Sequence, residues 1–277
     1  VAIVRGSVVN RIVNRGVMGV LSGRVALVTG GGRGIGRGIS ELLAAEGASV
    51  AINYHSGKEG AEETLRTIID RGGTAKIYGA SVADYEASST MVKEVIRDFG
   101  HIDILVNNAG IASRGKAVAD TDAAEVERLL AVHAVGAHQL CAAVLPSMRT
   151  QERGDIVFIS SVATANTSAK GAPYNMGKAA MEALALTLAK EERKNGIRVN
   201  IAAPGLVETD MGVRLSRSLT GNKELTDLRS LDDSAPFGRV CQPDDVANVV
   251  LWFCSPGSAY VTGQRVQCDG GGAITSY

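Results

Sequence analysis

A tyrosine and a lysine one helical turn apart, Tyr174 and Lys178, and a glycine-rich run from Thr29 to Gly38 are the residues of this chain whose types and spacing could do chemistry. On a helix, positions i and i+4 share a face. An ammonium held beside a phenol favours the phenolate, and bringing a tyrosine from about 10 toward 7 takes roughly 4 kcal/mol of differential stabilisation. Such a pair would move a proton near neutral pH. The same spacing also describes an ordinary surface pair. The glycine run suggests something else. Val25 to Val28 reads as a buried parallel strand, and Gly30-Gly31-Gly32-Arg33-Gly34-Ile35-Gly36 breaks it. Ile39, Leu42, Leu43 and Ala44 then recur at helical spacing, and Gly47 closes the segment before a second apolar run, Ser49 to Ile52. Strand, glycine turn, helix and strand offer a pyrophosphate a backbone free of Cβ atoms and a helix N-terminus. The spacing is Thr29-Gly30-x-x-x-Gly34-x-Gly36, not GxGxxG, and a glycine run alone can equally be a mobile loop.

These residues need elements to position them, and the chain supplies an alternation. Strands are expected at Ala75 to Tyr78, Ile102 to Val106, Asp155 to Ile159, Arg198 to Ile201 and Gln264 to Gln267. Helices are expected at Glu59 to Asp70, Tyr85 to Phe99, Thr121 to Met148, Tyr174 to Lys194 and Asp244 to Phe253. This pattern predicts an α/β fold, a single-domain doubly wound parallel sheet with helices on both faces, over residues 21–277. Lys plus Arg and Asp plus Glu each number 29, so no general attraction to nucleic acid or an anionic membrane is expected. Cys141, Cys241, Cys254 and Cys268 lack metal-ligand spacing, which predicts reduced thiols, a cytoplasmic setting and no metal. No uninterrupted apolar run reaches membrane-spanning length. Residues 1–20 carry Arg5, Arg11 and Arg15 with no acid, as a transit segment or an incidental extension would; the second is the expectation.

Six motifs stand in order: the glycine turn, Asn107-Asn108-Ala109-Gly110, Ser161, Tyr174-x-x-x-Lys178, Pro204-Gly205 and Asp269-Gly270-Gly271. The set, running from about Ser22 to the end, resembles the short-chain dehydrogenase/reductase family, nearest its ketoacyl-carrier-protein reductase and carbonyl reductase branches. The resemblance implies a Rossmann-like fold and hydride transfer between a nicotinamide dinucleotide and a carbonyl carbon. Tyr174 would be the general acid in reduction, Lys178 would lower its pKa and bond the nicotinamide ribose, and Ser161 would bond the substrate oxygen. The cofactor would meet Gly30, Arg33, Gly34, Ile35 and Gly36, then Tyr54, His55 and Ser56, then Ser81 and Val82. Asn107 to Gly110, with Asn108, Ala109 and Gly110 as direct contacts, would form part of the adenosine side. Pro204, Gly205, Val207 and Thr209 would lie along the nicotinamide. The Asp269 to Gly272 turn would serve subunit packing.

Two positions depart from the family pattern. His133 stands where an Asn is usual, and Ser81 where an adenine-contacting Asp is common. His133 could replace the Asn in a proton relay to Lys178, adding an ionisation between roughly pH 5.5 and 7.5, or be a histidine satisfied by a nearby carbonyl. No acid follows the second strand before Glu59, and Arg33 could reach a 2′-phosphate, so NADP(H) is expected; Arg33 could also be a solvated turn residue. Residues 212–238 read as an irregular loop, a substrate lid by resemblance or a solvated surface segment. The apolar helices 121–148 and 174–194 would pair with a second copy in a homodimer or homotetramer. An NAD-linked alcohol, polyol or steroid dehydrogenase and a non-catalytic dinucleotide-binding scaffold are the alternatives.

Overall fold

Residues 25–28 alternate between the two sides of a sheet: Val25 and Leu27 join one apolar cluster, Ala26 and Val28 the other. All four are buried, as a strand covered by helices on both faces requires. The computed structural model describes residues 19–271. The expectation for residues 1–20 therefore falls almost wholly outside the described residues, as does Gly272 of the terminal turn.

Seven parallel strands form one sheet in the order β3-β2-β1-β4-β5-β6-β7. They are β1 Val25–Val28, β2 Ser49–Tyr54, β3 Thr74–Gly79, β4 Ile104–Asn107, β5 Gly154–Ile159, β6 Ile197–Pro204 and β7 Arg265–Cys268. One face packs against α1 Gly34–Ala45, α2 Lys58–Asp70 and α9 Pro243–Cys254, through Ile39, Ile68 and Phe253. The other meets α3 Tyr85–Phe99, the helical stretch α4 Ala123–Leu130 to α5 Gly136–Met148, and, beyond a short helix α6 Ala163–Asn166, α7 Ala172–Glu192. Each Leu or Phe buried there is worth about 1.5–3 kcal/mol, far more than a solvent-screened i,i+4 pair such as Lys58–Glu62 supplies. The two apolar faces, not the surface charges, hold the fold. Because β1 lies between β2 and β4, the chain reverses direction across the sheet there, and a crevice opens at the strands' carboxyl ends.

Three details differ from the expectations. The helix over 121–148 is interrupted by a π-helical turn, Ala131–Val135, that carries His133. Gly136 follows it, and a Cβ there would stand 2.3 Å from the Val82 carbonyl oxygen. Second, Ala123–Met148 is long and apolar enough to cross a membrane by length and composition alone. Its Leu140, Val144 and Met148 are buried against the sheet.

Third, residues 212–238 are not an irregular loop. They hold most of α8, Asp210–Thr220, and two 3-10 turns, Arg229–Ser234 and Pro236–Gly238. Thr209 caps α8 by accepting from the Gly212 N–H at 3.0 Å. Val213, Leu228 and Val240 form a separate small core under the segment. Its apolar residues are spaced widely among charges, which hid the amphipathic pattern.

Candidate active site

The glycine turn is tied down from both neighbouring strands. Thr29 is buried; its Oγ1 accepts from the Asn108 and Ala109 N–H groups, each at 2.9 Å. Asn108 Nδ2 donates to the Thr29 and Gly30 carbonyls at 2.8 and 3.2 Å. From β2, Asn53 Oδ1 accepts from the Gly30 N–H, while its Nδ2 donates to the Ala80 carbonyl at 3.0 Å. Thr29 was expected only as the start of the glycine run, and Asn53 was not among the expected cofactor contacts. A buried Asn at a strand end was the only signal available for the second.

Gly30 and Gly34 have φ of 60° and 50°, in the left-handed region that glycine tolerates. A Cβ on Gly36 would lie 2.1 Å from the Gly30 oxygen and 2.6 Å from Asn108 Nδ2. Arg33, exposed and extended, precedes α1 without a side-chain cap bond to the first-turn N–H groups of Gly34, Ile35 and Gly36. A turn stripped of Cβ atoms leading into an uncapped helix N-terminus fits a dinucleotide pyrophosphate.

The other expected cofactor residues are distributed around the same crevice. Tyr54 is half-buried at the end of β2, its ring against Gly79, with His55 and Ser56 exposed beyond it. Ser81 Oγ accepts from the Ala83 N–H at 3.3 Å, and Val82 is buried beside His133 in the wall of a small cavity. On the far side Pro204 ends β6, its carbonyl accepting from the Val162 N–H, and the Gly205 N–H donates to the Cys268 carbonyl. Val207 bridges to Cys241, and Thr209 Cγ2 comes within 3.1 Å of a Cβ built on Gly34. The nicotinamide-side residues thus meet the glycine turn. Asn107 is buried, donates to Cys141 Sγ at 3.4 Å and lines the small cavity shared by Thr29, Ala109 and His133.

Tyr174, Lys178 and Ser161 converge. Pro173 in the first turn of α7 starts the helix early enough to set Tyr174 and Lys178 on its inner face. The Ser161 hydroxyl stands near enough to the Tyr174 phenol to favour its ionised form. Lys178 Nζ is buried, donates to the Ile159 carbonyl at 2.7 Å and lies 5.8 Å from the Tyr174 ring centre. Burial pushes the lysine down to about 7, against a smaller upward pull from Glu182. The Tyr174 phenol is raised by burial, partly offset by Ser161. This corrects the expectation that Lys178 holds it down. The ammonium is spent on a carbonyl, and loss of water outweighs its influence on the ring.

His133 is buried with its ring edge-on to Tyr174, 5.4 Å between centres. Its Nε2 lies 2.9 Å from the Ile111 carbonyl and 3.4 Å from the Ile111 nitrogen; with the ring proton on Nε2, donated to that carbonyl, Nδ1 is a buried acceptor without a protein partner among the described residues. Burial first, then the Lys178 charge, pushes its pKa down to about 3. The ionisation expected between pH 5.5 and 7.5 is therefore not that of His133, which is neutral throughout the range.

A second missed group lies behind the serine. Glu182 Oε1, one turn after Lys178, accepts from Ser160 Oγ at 2.5 Å, from Thr164 Oγ1 at 3.0 Å and from Arg265 Nε at 3.0 Å. The i+4 spacing from Lys178 pointed to Glu182; nothing local pointed to Arg265, which arrives from β7.

Residues 30–273 match the family model described as enoyl-(acyl carrier protein) reductase. The chain is 37% identical over 246 residues to the 3-oxoacyl-acyl-carrier-protein reductase FabG of Staphylococcus aureus, covering 89% of this chain and 96% of that protein. It is 36% identical over 256 residues to versicolorin reductase 1 of Aspergillus parasiticus, covering 91% and 97%. Among solved structures, levodione reductase superposes with a TM-score of 0.86 at 28% identity, covering 92% of this chain and 100% of that one. NAD+-bound xylitol dehydrogenase superposes with a TM-score of 0.83 at 30% identity, covering 91% and 99%.

Proposed function

The chain belongs to the short-chain dehydrogenase/reductase family and is an oxidoreductase, and from that premise we propose that it reduces a ketone to a secondary alcohol with NADPH, Tyr174 donating the proton. The observation that carries this reading is the convergence of Ser161, Tyr174 and Lys178 at the carboxyl end of β5, across the crevice from the glycine turn. When bound, the dinucleotide supplies the hydride. The rest falls to side chains of this chain. Ser161, beside Tyr174, holds the carbonyl oxygen and stabilises the charge growing on it. Tyr174 keeps its proton at neutral pH because burial raises its phenol, so in the reductive direction it is a competent acid. Lys178, near 7, exchanges a proton within the working range. The Gly34 to Gly36 N–H groups would hold the pyrophosphate.

NADPH is favoured by the end of β2, which reads Asn53-Tyr54-His55-Ser56 with no carboxylate, and by the exposed Arg33 in the glycine turn. The substrate is a 3-oxoacyl thioester or a small or cyclic ketone, in keeping with the reductases named above. The four free thiols fit a cytoplasmic site of action. Val135, Met176 and Leu186 leave apolar surface exposed on the helices over 123–148 and on α7, which suits a homodimer or homotetramer.

The test is a matrix of NADPH and NADH against 3-oxoacyl thioesters and cyclic ketones, with wild type and Tyr174→Phe. Turnover with NADPH is expected, and its loss by about a hundredfold or more in the variant at unchanged dinucleotide affinity. Equal turnover by the variant would sink the assignment. A second reading, an NAD-linked polyol dehydrogenase, draws on the likeness to xylitol dehydrogenase, and higher kcat/KM with NAD+ and polyols would establish it.

A further inference from the structure

Behind Ser161 lies a polar network that the reaction as described does not use. Glu182 is four residues beyond Lys178 on α7, and its carboxylate gathers three donors: Ser160 Oγ at 2.5 Å, Thr164 Oγ1 at 3.0 Å and Arg265 Nε at 3.0 Å. Arg265 spans the same segment from β7. Its Nη2 donates to the Ser161 carbonyl at 3.1 Å and to Thr164 Oγ1 at 3.0 Å, and its Nη1 to Gln267 Oε1 at 3.1 Å. Thr164 Oγ1 also lies 3.0 Å from the Ser161 carbonyl, so its single proton is shared between that oxygen and Glu182. Residues 160–164, the turn that presents the Ser161 hydroxyl, are held at three points by one ion pair. Both members are largely removed from water, with side chains 23% and 16% exposed.

An ion pair so placed is a costly way to add stability, because desolvation consumes much of its Coulomb gain. What it supplies is fixed geometry and fixed charge. We propose that Glu182 and Arg265 form a positioning pair that sets the pose of the Ser161 hydroxyl from behind and keeps a negative charge one helical turn from Lys178. The proposal rests on the reading of Ser161, Tyr174 and Lys178 as the reacting group. Around Lys178 stand Tyr174 and Glu182 on its own helix, His133 on the helix packed beside it, and the Ile159 carbonyl and Ser161 at the end of β5. Arg265 faces Glu182 from β7. Of these, His133 stays neutral, and Glu182 favours the ammonium form of Lys178. The pair therefore links the exit strand β7 to the protonation of the site.

The test uses the full chain, with NADPH and a 3-oxoacyl thioester or a cyclic ketone as probes. Glu182→Gln, Glu182→Asp, Arg265→Met and the double variant Glu182→Gln/Arg265→Met are compared in kcat, KM, NADPH affinity, thermal midpoint and pH profile. Glu182→Gln should lose about 10- to 100-fold in kcat with little change in NADPH affinity, as misplacing a reacting group does. Its alkaline limb should move to lower pH by about half a unit or more, since the carboxylate that supports the ammonium is gone. Glu182→Asp should restore the limb, and the double variant should be no worse than the poorer single one. Folding is checked by NADPH affinity and thermal midpoint, and Glu182→Asp and Arg265→Lys carry the comparison where the harsher variants do not fold. If wild type and Tyr174→Phe differ as expected while Glu182→Gln matches wild type in kcat and pH profile, the pairing is wrong and the site reading stands. A wild type without turnover overturns both.

Discussion

Arg33 is exposed at the mouth of the glycine turn and caps nothing, which leaves its guanidinium available to a 2′-phosphate. Charge-assisted bonds of that kind are worth about 1.5–3 kcal/mol. Arg33→Ala should therefore cut kcat/KM for NADPH by about tenfold or more and leave that for NADH nearly unchanged; equal losses for both would reassign Arg33 to folding of the turn. His133 makes a different prediction. Its pKa is about 3 in the folded chain against 6.5 when unperturbed, so between those values the unfolded chain binds the extra proton. Stability is complete above pH 6.5 and falls on acidification toward 3, at about 1.4 kcal/mol per pH unit for this one group. His133→Asn should flatten that acid limb in denaturant titrations while leaving the pH profile of kcat between about 5.5 and 7.5 superimposable on wild type. A shifted kcat profile would mean that His133 titrates during turnover.

Among the elements, the β1-turn-α1 unit tolerates least. Gly36→Ala would set a methyl against the backbone oxygen of Gly30, an obstacle that cannot swing aside, and should abolish measurable NADPH binding. Gly136→Ala meets the Val82 carbonyl in the same way and should lower stability by about 2–4 kcal/mol, read from denaturant midpoints. Retained binding or an unchanged midpoint would show that the backbone yields. The β1-turn-α1 unit was legible because its signals are local: apolar alternation, glycines, then 3.6-residue spacing. Helix Tyr85–Phe99 was legible to the residue, with Asp84 accepting from the Ala87 N–H at its start and Gly100 closing it. The π turn was not, since nothing in the spacing of Ala131 to Val135 marks it off from the helix on either side, and the Val82 carbonyl packed against Gly136 comes from far off in sequence. Helix α8 was masked by its charges. At the site, Ser161, Tyr174 and Lys178 could be placed from motif order, whereas the Tyr174 shift depends on burial and the Arg265 contact on strand order, and neither is written in spacing.

For the whole molecule, the exposed Val135, Met176 and Leu186 predict self-association through the helices over 123–148 and α7. Light scattering at micromolar concentration should give an even multiple of the chain mass, and Leu186→Glu should lower it; a monomeric wild type would refute the assembly. The strand order has a consequence of its own, in time instead of space. Ala26 in the middle of the sheet takes Ile104 as its neighbour, and Ile201 takes Arg265, so neither half of the site can close until distant chain has arrived. Every pairing is parallel and skips over a helix, which makes the topology rich in non-local contacts and the loop-closure cost heavy before any of it is repaid. Refolding from denaturant should accordingly be slow and pass through collapsed species. The β2-β1 pair and its helix should gain hydrogen-exchange protection before the Ser161 segment, which waits for Arg265 near the end of the described chain.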